Sequence, residues 1–258
     1  MAQRTTFDCG VYSNSNFRAV GSGCIETPSA SYSGTYSNGS SSCGPAEAGH
    51  GVPVVDPVAG RYTLPAISPC TYTDFPTVTA TTTLTPGVYC GGIDVGSGGV
   101  ATFSAGTYVL VGTGGNKGGL KIGSGGSATG TGVTFFNTYQ TSTNGYVPMT
   151  ISTTGVVGFS APTSGANKAL LFWQDPRVPW AANNGSVVTA SSTSSFEGIL
   201  YFPTTDLTYG GNSSSTSPTG GYTILISYNL EVKGNSQVNA DYSALGGTSP
   251  IQVAAFAE

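Results

Sequence analysis

The side chains able to do chemistry are few, and their spacing limits what they can do. His50 is the only histidine, and it stands in Gly49-His50-Gly51. The twelve carboxylates are spread from Asp8 to Glu258, and no two are adjacent or at i, i+2. Glycoside cleavage needs two carboxylates facing each other across the scissile bond, one as acid and one as base or nucleophile. Here only a fold that brings distant acids together could supply that pair. A serine nucleophile needs a general base, and a single histidine leaves little choice. Gly112-Thr113-Gly114-Gly115-Asn116-Lys117-Gly118-Gly119 has the glycines of a phosphate loop but lacks its Lys-Ser/Thr ending. No catalytic residue, cofactor, metal ligand or enzymatic activity is expected.

The cysteines carry a different chemistry. Cys9, Cys24, Cys43, Cys70 and Cys90 all fall in the first 90 residues, without a C-x-x-C. With one histidine in the chain, zinc is a poor fit, and disulfides in an oxidising compartment are the expected use. A Cys70–Cys90 bridge would close a loop of about 20 residues and stabilise by roughly 3 kcal/mol in the chain-entropy model. It would pin the proline-rich residues 65–76 to the first regular strands. A second bridge is expected between two of Cys9, Cys24 and Cys43.

The elements that must position these groups are short strands. Ile93-Asp94-Val95, Val100-Ala101-Thr102-Phe103 and Thr107-Tyr108-Val109-Leu110-Val111 are separated by turns of Gly, Ser and Ala. The order restarts at Leu120, 27 residues after Ile93. First-side strands then recur at residues 149–151, 187–189 and 230–232. Second-side strands recur at 127–129, 156–159, 194–196 and 237–240, and third-side strands at 133–137, 169–173 and 198–202. With 39 Gly and 15 Pro, long helices would be interrupted almost everywhere. Three strands per fixed period predict an all-β fold, a right-handed parallel β-helix in the form of a three-sided solenoid. Residues 1–83 are expected as an irregular Cys/Pro/Gly-rich lead-in with the first coils. Residues 84–258 are expected as regular coils with loop insertions, the whole forming one continuous domain. The insertions fall at 139–146, 175–184 and 212–219. Ile93, Leu120 and Met149 are expected in one inward column, and Val109, Phe135 and Leu171 in another. Asp94 and Lys121, 27 residues apart, are expected as an ion pair between coils.

Charged residues make up only 8% of the chain, against about 25% in ordinary domains, and the net charge is −4. The eight basic residues are scattered singly, so nucleic acid is excluded as a partner. No apolar run approaches the roughly 20 residues of a membrane span. Met1-Ala2-Gln3-Arg4 does not open a signal peptide, although the composition reads as exported. The expectation is a trimmed chain whose upstream export or anchor segment has been replaced by Met1.

Two resemblances follow. Gly49-His50-Gly51 is similar to the Gly-His-Gly of polygalacturonases, but it lies in the Gly/Pro-rich lead-in and without paired acids. The stronger one is an ordered set: Val55-Asp56-Pro57-Val58-Ala59, Leu64-Pro65-Ala66, Cys70, and Leu84-Thr85-Pro86-Gly87-Val88-Tyr89-Cys90-Gly91-Gly92-Ile93. Ser104-Ala105-Gly106-Thr107-Tyr108-Val109, Gly130-Thr131-Gly132-Val133-Thr134, Phe159-Ser160-Ala161-Pro162 and Glu197-Gly198-Ile199-Leu200-Tyr201-Phe202-Pro203 complete it. Over about residues 50–240 the chain resembles the region after the membrane anchor in TadG-like proteins, associated with Flp/Tad pilus assembly and bacterial surfaces. That family has an N-terminal membrane helix, which this sequence lacks. The resemblance implies an exported or cell-surface ectodomain and brings no catalytic residues.

The expected role is therefore structural: a non-enzymatic, Tad-pilus-associated or adhesive surface protein, able to self-assemble. The alternative is a carbohydrate-binding or polysaccharide-processing β-helix. Partners would be other surface or pilus proteins, a second copy of the chain, or glycans. Trp173, Trp180, Tyr146 and Tyr209, in or beside the insertions, are the candidate interaction surface. For the first two, packing against the body of the fold is the competing expectation. Val253 and Phe256 in the apolar C-terminal strand are the candidate assembly edge, because open strand edges invite pairing.

Overall fold

The computed structural model describes residues 3–7, 11–13, 16–18, 23–37, 44–53, 55–142, 145–191, 193–211, 221–234, 237–238 and 240–251. The described chain is almost wholly strand and turn, with a short 3₁₀ turn at Ser243–Leu245. No helix among the described residues is long and apolar enough to cross a membrane.

Among the described residues every pairing between strands is parallel, with isolated antiparallel bridges at Gly114–Lys117 and Tyr222–Ala240. A six-stranded sheet stacks Ile93–Val95, Leu120–Gly123, Thr150–Ser152, Ser186–Ala190, Leu207–Gly211 and Leu230–Gly234 in chain order. An eleven-stranded sheet has two arms. One arm runs Thr81–Leu84, Val100–Phe103, Ser127–Thr131 and Val157–Ser160. The other runs Tyr72–Thr73, Gly87–Cys90, Gly106–Gly112, Val133–Tyr139 and Leu170–Gln174. Ser195–Phe202 joins the arms, its first half pairing with Val157–Ser160 and its second with Leu170–Gln174 and Thr223–Ser227. From Thr81 to Gly211 the chain visits the two arms and the six-stranded sheet repeatedly in the same order.

The repeat is written in the corners. Ile93 pairs with Leu120, so Gly92 and Gly119 hold equivalent places before the six-stranded sheet. Both are in the left-handed region, at φ 77° and 65°. A Cβ on Gly92 would lie 2.4 Å from the Gly119 oxygen, and one on Gly119 would lie 2.5 Å from the Pro148 oxygen. Only glycine combines that backbone with that close approach.

The inward alternation of the first two sides follows the sequence pattern. Ile93, Leu120 and Met149 are all buried in the main core, as expected. The third side differs. Tyr108 pairs with Phe135 and Phe135 with Phe172, while Val109 pairs with Phe136 and Phe136 with Trp173. The inner column is therefore Tyr108–Phe135–Phe172, and the expected Val109–Phe135–Leu171 column mixes two faces. The reason is burial on both faces: Gly106–Gly112 and Val133–Tyr139 are buried almost continuously, so alternation vanishes from the sequence. One further register shift falls on the first side, where Val187 pairs with Thr150. Val188 is the core residue opposite Ile151, and Ser186 follows Met149 inward.

A second apolar cluster covers the outer face of that arm. Val109, Val111, Phe136, Leu170, Trp173, Ile199 and Tyr201 meet Val58, Tyr62, Ile67 and Cys70 from the early chain and Leu245 and Ile251 from the late chain. The Cys70–Cys90 disulfide is formed and ties this covering segment to Gly87–Cys90.

The first fifty residues do not lead into the stack from its start. Gln3–Phe7 pairs in parallel with Gln237–Val238, at the opposite end. Gly23–Glu26 then pairs with Gln3–Phe7, Ser29–Tyr32 with Val11–Ser13, Tyr36–Ser37 with Phe17–Arg18, and Glu47–His50 with Ser29–Tyr32. The expected irregular lead-in is thus partly regular. Gln237–Val238, read as a second-side strand, belongs to this terminal sheet instead, because its neighbour is the N-terminal strand.

Candidate functional site

The loop after Leu170–Gln174 is fixed at its root by a buried acid. The Asp175 side chain is fully buried and accepts hydrogen bonds from the Arg177 backbone N (2.9 Å), Arg177 Nη2 (2.6 Å) and the Thr138 hydroxyl (2.5 Å). Burial alone would raise its pKa, but these donors outweigh it and hold the carboxyl below its usual value. The chain then passes through buried Val178 and emerges at Trp180, which is 50% exposed.

Trp180 is held in place. Its Nε1 donates to Asp206 Oδ1 at 2.9 Å, and Asn229 Nδ2 donates to the same oxygen at 2.8 Å. Because Leu207 pairs with Leu230, Asp206 and Asn229 occupy equivalent corners of successive turns. Tyr228, 56% exposed, lies beside the indole with ring centroids 5.9 Å apart and planes 38° apart. Two exposed rings thus border a carboxylate and an amide.

Of the four residues expected as an interaction surface, only Trp180 is exposed. Trp173 is buried against Phe136 (4.7 Å between centroids) and Tyr62 (5.9 Å), so the covering segment has taken its face. Tyr209 is fully buried because it pairs with Val188 and Val232 in the inward parity of the six-stranded sheet. Tyr146 is buried, and burial pushes its hydroxyl pKa far up. All three are corrections with separate causes: strand parity turns Tyr209 inward, the covering segment hides the outward-facing Trp173, and Tyr146 is buried outside any strand. Tyr228 was missed. Its signal was the polar Ser227-Tyr228-Asn229 corner before Leu230, at the place of Thr204-Thr205-Asp206 one turn earlier.

Other expected groups separate. Asp94 and Lys121 are register partners, but Lys121 Nζ donates to the Asn116 carbonyl. The ion pairs among the described residues are instead Lys117–Asp74, Arg177–Asp175 and Lys233–Glu231. His50 is exposed, on the edge strand Glu47–His50 rather than in a loop, with Tyr32 against its ring at 4.9 Å. Among the described residues no three His, Cys, Asp or Glu side chains gather at metal-binding distance. A groove of about 620 Å³ lies where Arg61 and Lys168 meet Thr248 and Ser249. There Arg61 donates to the Pro250 carbonyl and Tyr62 to that of Lys168. Val253, Phe256, residues 212–219, Cys9, Cys43 and the side chain of Cys24 lie outside the described residues. No family model, no curated protein and no solved structure matches the chain.

Proposed function

We propose that the chain is an exported, three-sided, right-handed parallel β-helix serving as a non-enzymatic scaffold in the architecture or adhesion of a cell surface. What carries the reading is the register: parallel partners recur through six strands of one sheet while the chain visits the three sides in constant order. Such a stack is a stiff, repetitive body whose individuality sits in its corners. The right hand follows from the crossover rule for parallel strands. A surface with few charges and a disulfide in the covering segment suit an oxidising compartment outside the cytosol. The resemblance to TadG-like proteins points the same way and suggests a pilus-associated setting.

The test is placement on cells. Antibody raised against the purified chain should label intact, non-permeabilised cells that produce the full-length protein, and surface proteolysis should remove the label. Label seen only after permeabilisation would refute the proposal.

A further inference from the structure

The corner that holds Trp180 has the make-up of a ligand site. Trp180 and Tyr228 are half exposed, although both rings are large and apolar. Exposed aromatics of this kind are the residues a surface uses when a partner has an apolar face and polar edges. The indole does not swing freely, since Asp206 Oδ1 holds its Nε1 while Asn229 holds the same oxygen. Asp206 Oδ2 and the Tyr228 hydroxyl have no hydrogen-bond partner among the described residues, so an acceptor and a hydroxyl remain beside two rings fixed at 5.9 Å. Asn184 completes the rim, its Nδ2 on the Pro179 carbonyl.

We infer that the Trp180–Tyr228–Asp206–Asn229 corner binds a neutral oligosaccharide of β-linked, gluco-configured units. The flat C–H face of an all-equatorial ring covers the indole and the phenol. Its edge hydroxyls donate to Asp206 Oδ2 and exchange hydrogen bonds with the Tyr228 hydroxyl. The carboxylate of Asp206, in a chain of net charge −4, disfavours uronic acids at the same place. Two rings also suit one or two sugar units better than a protein, whose stable interfaces bury on the order of 1,200–2,000 Å². This goes beyond the scaffold reading: it assigns a ligand class to one corner and holds wherever the protein resides.

Trp180 and Trp173 are the two tryptophans, and only Trp180 is exposed, so emission reports this corner directly. The intact protein is titrated with cellotetraose, chitotetraose and tetragalacturonate, following tryptophan emission and heat. The expected result is saturable binding of a neutral tetrasaccharide, at least tenfold weaker in Trp180→Ala and in Tyr228→Ala, with tetragalacturonate weakest. Circular dichroism and the Trp173 emission of Trp180→Ala confirm that the fold is kept. Failure of both neutral sugars to bind overturns the inference. So does equal binding by the two variants and the parent, or preference for the acidic sugar. None of these outcomes bears on the surface-labelling test.

Discussion

Replacing Phe135 by alanine probes the stack where most of its aromatic packing converges. Phe135 is fully buried, with ring centroids of Phe159 at 5.0 Å, Phe103 at 5.1 Å, Tyr108 at 5.4 Å and Phe172 at 5.7 Å. Removing a buried phenylalanine costs about 3–5 kcal/mol through lost transfer energy and the cavity left behind. Of its four ring neighbours Phe103 stands edge-on and Tyr108 is stacked, favoured geometries that add about 0.5–1.5 kcal/mol each. Relaxation of the neighbours offsets part of that, so the expected loss stands near the upper end, about 4–5 kcal/mol. Phe135→Leu keeps most of the volume and should lose about 1–1.5 kcal/mol. Thr102→Ala, on the exposed parity of Val100–Phe103, should stay within about 0.5 kcal/mol. Guanidinium unfolding followed by circular dichroism and tryptophan emission measures all three, and coincident curves license the free-energy comparison. A loss below about 1 kcal/mol for Phe135→Ala would refute the inner column and the parity it rests on.

Three further outcomes are expected. Gly119→Ala puts a Cβ 2.5 Å from the Pro148 carbonyl at a left-handed backbone, so it should lower the thermal midpoint far more than Gly125→Ala, where no atom lies within 4 Å. Gly125 is also left-handed, so thermal melts of the pair isolate the close approach. Opening the Cys70–Cys90 bridge by Cys70→Ser should cost about 3 kcal/mol in the chain-entropy model for its 20-residue separation, and limited proteolysis should then attack residues 55–70 first. Alkali should destabilise the fold. Burial raises the Tyr108 hydroxyl to about 12, and the hydroxyls of Tyr89, Tyr201 and Tyr222 also rise chiefly through burial. A raised folded pKa means stability is full below the unfolded value near 10 and is lost as pH climbs through the folded one. Thermal melts should therefore be flat to about pH 10 and fall steeply toward pH 12, with tyrosinate absorbance rising alongside unfolding; a flat profile throughout contradicts the burial of these four tyrosines.

How much of this was legible depended on which faces water reaches. The 27-residue step from Ile93 to Leu120 and the glycines before each were readable because a half-exposed strand alternates and a left-handed corner admits little else. Cys70–Cys90 was readable from loop length and position. The third side hid its parity because Val109, Phe136 and Trp173 are as apolar as Tyr108, Phe135 and Phe172. What distinguishes the sets is the segment lying over the outer one, and its contacts with Val58 or Leu245 are set by tertiary packing. The same ambiguity misplaced Trp173 as a surface group, whereas Tyr209 follows the inward parity of the six-stranded sheet. The Trp180 corner needed two facts at once, the long excursion from Asp175 and the register that sets Asp206 beside Asn229.

The pairing of the first strand with one of the last also orders the assembly of the fold. A contact such as Ile93 with Leu120 closes 27 residues, whereas Thr6 with Gln237 closes 231. With closure entropy growing as three-halves RT ln n, the second costs about 2 kcal/mol more when the intervening chain is unfolded. That excess shrinks once the parallel strands from Tyr72 onward have paired and residues 56–62 lie along the late strands, where the Tyr201 hydroxyl donates to Asp56, because both partners of the contact then stand near the same end. The N-terminal turns are therefore expected to dock last, onto an edge that the finished stack presents. Until they do, the strand Leu230–Gly234 and its neighbours expose unpaired N–H and C=O groups, the condition under which strand edges capture other chains. In the complete fold Gln3–Phe7 pairs with Gln237–Val238 from within the same molecule, while Leu230–Gly234 stays the end strand of its own sheet and Glu47–His50 the outer edge of another. Pro250 and Ile251 fold back onto the covering cluster through Arg61 and the Trp173 face, so this part of the late chain adds no strand to either end. Among the described strands, the edges a second copy could use include Glu47–His50 and Leu230–Gly234, and the Tyr72 and Thr81 strands at the opposite end.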